Sequence, residues 1–104
     1  MLKKLQYDFE VLGNSSEKIM VAIHGWQGNR ESMKPLLRSL NMENVGWYFL
    51  EAPYLLDHDK EKFSWSYEIS DGAWEVNEPK YLLDAFFNNL FKEYSSKNIY
   101  VIGF

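Results

Sequence analysis

Apolar residues recur along this chain with two different periods, and the changes between them mark out its elements. Leu5, Tyr7, Phe9 and Val11 alternate with Gln6, Asp8 and Glu10. A period of two predicts a strand with one solvated face, placed at a sheet edge. Gly13-Asn14-Ser15-Ser16 reads as a turn. Ile19 to Ile23 is apolar throughout, as expected of a strand covered on both faces, and these two strands are expected to pair as a hairpin. Met33, Leu36, Leu37 and Leu40 then fall on one stripe at helical spacing, with Ser32 as the expected N-cap and Pro35 in the first turn. Trp47 to Leu50 predicts another strand, closed by Ala52-Pro53. Residues 54–76 read as a long, irregular, aromatic-rich loop, a length more often functional than incidental. A second helix is expected to open at Pro79, capped by Asn77 or Glu78, with Leu83, Phe86, Phe87, Leu90, Phe91 and Tyr94 on one face. Ile99 to Ile102 is the last predicted strand.

Strands alternating with helices predict an α/β fold with a mostly parallel sheet and helices on its faces, an antiparallel strand standing at the start. The 104 residues allow one domain. The chain ends on Val101-Ile102-Gly103-Phe104, apolar where termini are usually exposed and polar. The expectation is therefore that residues 1–104 form a single incomplete domain. Without the cover of further elements, the isolated chain is expected to self-associate.

Composition narrows the function classes. The net charge of -4 argues against a nucleic-acid partner, which needs a basic surface. With no cysteine, neither a disulfide scaffold nor a thiolate metal site can form. Asp57-His58-Asp59 reads as a solvated charged turn and not as a metal site, because adjacent loop residues rarely converge on one ion. No metal and no other cofactor is expected; Gly25 and Gly28 lack the spacing of a phosphate loop. Lys3 and Lys4 have no apolar run behind them, so no signal peptide is predicted. No apolar run approaches the roughly 20 residues needed for a transmembrane segment. A cytoplasmic location is the expectation.

Two segments carry candidate chemistry. His24-Gly25-Trp26-Gln27-Gly28 follows a buried strand, and Gly103-Phe104 ends another. A strand running into glycine is where a G-x-S-x-G nucleophile elbow starts, with the nucleophile due directly after Phe104. Ser64 and Ser66 follow no such strand and are read as structural.

Four pieces, in order, are similar to the phospholipase/carboxylesterase family of α/β-hydrolases, the group that includes acyl-protein thioesterases. Ile23-His24-Gly25-Trp26-Gln27-Gly28-Asn29 resembles that family's Leu-His-Gly-x-Gly-Asp loop, with Gln27 read as an insertion before Gly28. Glu51-Ala52-Pro53 resembles its Pro-x-Ala-Pro, and Ser64-Trp65-Ser66-Tyr67 its Ser-Trp-Phe-Asp. Tyr100-Val101-Ile102-Gly103-Phe104 resembles the start of its Gly-Phe-Ser-Gln-Gly elbow.

The resemblance implies the N-terminal half of an α/β-hydrolase fold, truncated at the nucleophile elbow. It implies a parent serine hydrolase cleaving carboxylic esters or thioesters, with the triad beyond Phe104 and the chain itself inactive. It places an oxyanion-hole N–H on Trp26, with Gln27 as a substitute donor, and support of that loop on His24, Gly25 and Gly28. Trp65 is expected to wall the acyl pocket. Two alternatives stand beside this: a dienelactone-hydrolase-like enzyme with a cysteine nucleophile, and a non-catalytic binding protein on the same scaffold.

Overall fold

The computed structural model describes residues 4–57 and 59–103. The expectations for His58 and Phe104 lie outside the described residues. Four strands form the main sheet: β1 (Gln6–Val11), β2 (Lys18–Ile23), β3 (Val45–Glu51) and β8 (Ile99–Gly103). Their spatial order is β1-β3-β2-β8. β2 runs parallel to both β3 and β8, and β1 is antiparallel to β3.

This order corrects the expected hairpin of the first two strands. β1 pairs with β3, Gln6 opposite Glu51 and Val11 opposite Gly46. The alternation of β1 is the reason. Tyr7 and Phe9 lay their rings against Tyr48 of β3, at centroid distances of 5.2 and 4.8 Å. On the other face, Asp8 and Glu10 meet basic residues that follow β2. Gly46 is needed for this fit, because a Cβ there would lie 2.7 Å from the Phe9 ring.

The strands β2 and β3 divide their side chains between two layers. Ile19, Val21 and Leu50 pack with Leu82 and Leu90 of α2 (Asn77–Glu93), and Tyr48 joins them. Ala22, Val45, Trp47 and Phe49 pack with Leu37 of α1 (Lys34–Leu40) and with Met33 just before it. The helices therefore cover opposite faces, as alternating side-chain direction in a fully buried sheet requires. α1 begins at Lys34 with Pro35 in its first turn, where the missing N–H leaves no bond unmade. Ser32 is not its cap; the Ser32 hydroxyl instead accepts the Asn29 N–H at 2.9 Å. The N–H groups that open α2 are met by the Glu75 carboxylate, at 2.7 Å from Asn77 and 3.2 Å from Glu78, so neither expected residue supplies the cap. Leu82 and Leu90 are the buried leucines of α2, whereas Phe91 is exposed.

Between β3 and α2 the expected irregular loop is partly regular. β4 (Tyr54–Asp57) pairs with β5 (Lys62–Ser64), and β6 (Glu68–Ser70) with β7 (Ala73–Trp74), both antiparallel. Tyr100 and Val101, on opposite faces of β8, are 48% and 55% exposed, so this strand is an apolar edge of the described sheet. No helix among the described residues is long and apolar enough to cross a membrane.

Candidate functional site

The chain moves from β2 through α1 to β3 on one side, then through α2 to β8 on the other side of β2. The strand order thus reverses at β2. In open α/β sheets, ligands bind outside the carboxyl ends of the strands at such a switch point. The loop His24-Gly25-Trp26-Gln27-Gly28 leaves β2 at this edge. Ile23 pairs with Gly103, so β8 ends beside the same loop.

His24 is 1% exposed and makes bonds from both ring nitrogens. Nε2 accepts the Ala52 N–H at 3.0 Å, just after β3. A backbone N–H can only donate, so Nε2 is unprotonated and the proton of the neutral ring sits on Nδ1. Nδ1 donates to the Gly25 carbonyl at 2.7 Å. Burial pushes the imidazole pKa down, opposed by the bond to Gly25 and by the negative charge of Glu51. A ring used at both nitrogens has no free site for a catalytic proton transfer.

The neighbouring groups complete the loop. The Gly28 N–H donates to the Gly25 carbonyl at 3.1 Å. Gly28 also exchanges a bond with β5: the Phe63 N–H donates to the Gly28 carbonyl, and the Gln27 N–H to the Phe63 carbonyl, both at 2.9 Å. Gly28 must be glycine for reasons of space, since a Cβ would lie 2.9 Å from both His24 Nδ1 and Ser32 Oγ. Trp65 lays its ring 5.5 Å from that of His24, and its Nε1–H donates to the His24 carbonyl at 2.8 Å.

One expectation changes here. The Gln27 N–H is committed to Phe63, which removes Gln27 as the substitute donor. Gln27 also has φ 70°, the left-handed region that favours glycine. The Trp65 indole is a strut for the His24 loop. No described residue accepts the Trp26 N–H, and Trp26 is 66% exposed. Ser64 is buried, donating to the Ser66 carbonyl at 2.6 Å and accepting the Ser66 N–H, and Ser66 Oγ donates to the Glu75 carbonyl. Both hydroxyls are thus engaged in loop geometry. Among the described residues no group of His, Asp or Glu could hold a metal ion.

An ion-pair network beside the loop went unread in the sequence. Arg30 bonds Glu51 with both its Nε, at 3.3 Å, and Nη2, at 3.1 Å, and reaches Asp8 at 3.1 Å. Lys34 meets Asp8 at 2.6 Å and Glu31 at 2.7 Å. The network joins β1, the end of β3 and the segment leading into α1. Apart from Lys34 and Glu31, which are three residues apart, its partners are distant in sequence, and the register of β1 on β3 brings them together.

The fold is shared with a crystal structure of the Bacillus cereus carboxylesterase, at a TM-score of 0.72 and 17% identity. The match covers 98% of this chain and 49% of the carboxylesterase chain, so this chain spans about half of that protein's length. No protein-family profile and no curated protein matches the chain.

Proposed function

We propose that this chain is the front part of a serine hydrolase acting on carboxylic esters or thioesters. Its contribution is one donor of the oxyanion hole, the Trp26 N–H. The observation that carries this reading is the pairing of Ile23 with Gly103. Adjacent strands lie about 4.8 Å apart, so residues following Gly103 start within one strand spacing of the His24-Gly25-Trp26 loop. A nucleophile placed there attacks an acyl carbon whose oxygen can reach the Trp26 N–H. The second donor, from the residue after the nucleophile, and the histidine and acid of the triad would all follow Phe104 in the chain. The carboxylesterase fold of the whole chain and the four sequence pieces in order support the same reading.

In this reading the serine attacks the ester or thioester carbonyl, a histidine takes its proton, and an acid orients that histidine. Trp26 stabilises the negative oxygen as it forms. The test uses the complete protein that contains this chain. Replacing Trp26 by its α-hydroxy acid analogue deletes one N–H and leaves the side chain. On p-nitrophenyl acetate and an acyl thioester, kcat should fall by about 10²–10³, the loss typical of one oxyanion donor. Unchanged kcat rejects Trp26 as the donor. Absence of turnover in the unsubstituted complete protein rejects the hydrolase in favour of a binding protein on this scaffold.

A further inference from the structure

We propose that Asn29 is a positioning residue that staples the β4–β5 hairpin to the loop after β2 and thereby fixes Trp26 from its C-terminal side. Its effect on turnover rests on the hydrolase reading above; the staple itself does not.

The staple needs an amide. The Glu31 N–H donates to Asn29 Oδ1 at 2.7 Å, and Asn29 Nδ2 donates to the Glu61 carbonyl at 3.0 Å. Both partners are backbone groups, so the amide can face only one way: an N–H cannot accept and a carbonyl cannot donate. The Asn29 N–H is itself taken by Ser32 Oγ at 2.9 Å, which holds the residue in place. A carboxylate at this position would set an oxygen against the Glu61 carbonyl oxygen with no proton between them. The resembled family loop has Asp where this chain has Asn29, so the donor is this chain's own and not part of the resemblance.

The staple closes a short ladder. Gly28 and Phe63 form an antiparallel bridge, with the Phe63 N–H on the Gly28 carbonyl and the Gln27 N–H on the Phe63 carbonyl, both at 2.9 Å. Residues 27–29 thus lie along residues 61–63 as an added strand beside β5, and Asn29 ties the far end. At the near end, the Gln27 N–H shares one planar unit with the Trp26 carbonyl, so its bond to Phe63 fixes the peptide that follows Trp26. The peptide before Trp26 is held separately, through the Gly25 carbonyl. The Trp26 N–H is therefore aimed from both sides.

Backbone strain marks the same junction. Gln27 and Glu61, on the two facing segments, have φ 70° and 49°. Residues with a Cβ persist in this left-handed region where their surroundings over-determine them, and such residues gather at functional sites. The Asn29 side chain bonds the carbonyl of Glu61, and the ladder it closes bonds the N–H of Gln27.

The test uses the complete protein that contains this chain, carrying Asn29→Asp, which keeps the shape and loses the donor. On p-nitrophenyl acetate, kcat should fall about tenfold, as for one lost hydrogen bond, with KM unchanged. Towards about pH 4 the new carboxyl gains a proton and can donate to Glu61 again, so kcat relative to the original should recover on the acid side. Asn29→Ala should lose as much and show no recovery. Amide exchange in the 15N-labelled protein reads the staple without any ester: the Gln27 N–H should exchange about tenfold faster in both variants at neutral pH. Unchanged kcat, a loss carried by KM alone, the same pH dependence in both variants, or an unmoved Gln27 amide overturns the proposal. No turnover by the unsubstituted protein, with the Gln27 amide responding as expected, rejects the hydrolase reading alone.

Discussion

Alanine at Gly28 is the sharpest perturbation of the candidate site. The new methyl group would lie 2.9 Å from His24 Nδ1, 2.9 Å from Ser32 Oγ and 3.1 Å from the Gly25 carbonyl oxygen. The first and the third cannot withdraw freely. The His24 ring is 1% exposed and bonded at both nitrogens, and the Gly25 oxygen is backbone. Overpacking costs about 1–3 kcal/mol and one displaced hydrogen bond about 1 kcal/mol, so Gly28→Ala should destabilise by about 2–4 kcal/mol. At about 4–8 °C per kcal/mol for a domain of this size, Tm should fall by at least about 8 °C. Two other glycines calibrate the series. Gly72 has φ 79° with nothing within 4 Å, so alanine there pays only the left-handed backbone cost of about 1 kcal/mol. Gly103 has its nearest neighbour at 3.5 Å, an ordinary contact, and alanine should change stability by less than about 0.5 kcal/mol. Thermal denaturation followed by circular dichroism, at matched concentrations, should rank the losses Gly28, Gly72, Gly103. A Gly28→Ala variant as stable as Gly103→Ala would refute the packing described for the loop.

Other outcomes follow from neighbouring features. Gln27→Gly relieves a left-handed φ of 70° and should be neutral to stabilising by up to about 1 kcal/mol in denaturant titration, where a clear loss would show that the side chain holds the loop. Asp8 is held below its ordinary pKa by its hydrogen bonds with Lys34 and then Arg30, against the opposing effect of burial. Such a carboxylate stabilises the fold above its unfolded value of 3.8, and that contribution is lost as pH falls from there through the lower folded value. Asp8→Asn should therefore be less stable than the original by about 1 kcal/mol or less at neutral pH, with the two converging in strong acid. The exposed edge at Tyr100 and Val101 should make the isolated chain associate, and Val101→Lys should reduce that association in sedimentation experiments.

The elements were legible where their cause is local. The continuous apolar run of Ile19 to Ile23, the stripe of Met33 and Leu37, and the glycine at the end of β8 each depend on neighbours in sequence. Pairing was not local. β1 could in principle have joined β2, and the choice of β3 rests on Tyr48 receiving Tyr7 and Phe9 while Arg30 and Lys34 receive Asp8. The strands between Tyr54 and Trp74 are too short for periodicity to identify. At the site, the loop residues His24, Gly25, Trp26 and Gly28 were legible from a motif. The division of labour among them was not. It depends on two backbone groups, the Ala52 N–H and the Phe63 carbonyl, which carry no residue identity. Leu83, Phe86, Phe87, Leu90 and Tyr94 of the expected helical face do pack into the core, whereas Phe91 is exposed.

The central claim is that the His24-Gly25-Trp26 loop and the end of β8 frame a nucleophile. Labelling of the complete protein with a fluorophosphonate, followed by peptide mapping, tests it directly. The account predicts one modified serine directly after Phe104, and no label on Ser64 or Ser66. Labelling within residues 1–104, or no labelling of the complete protein at all, would contradict it.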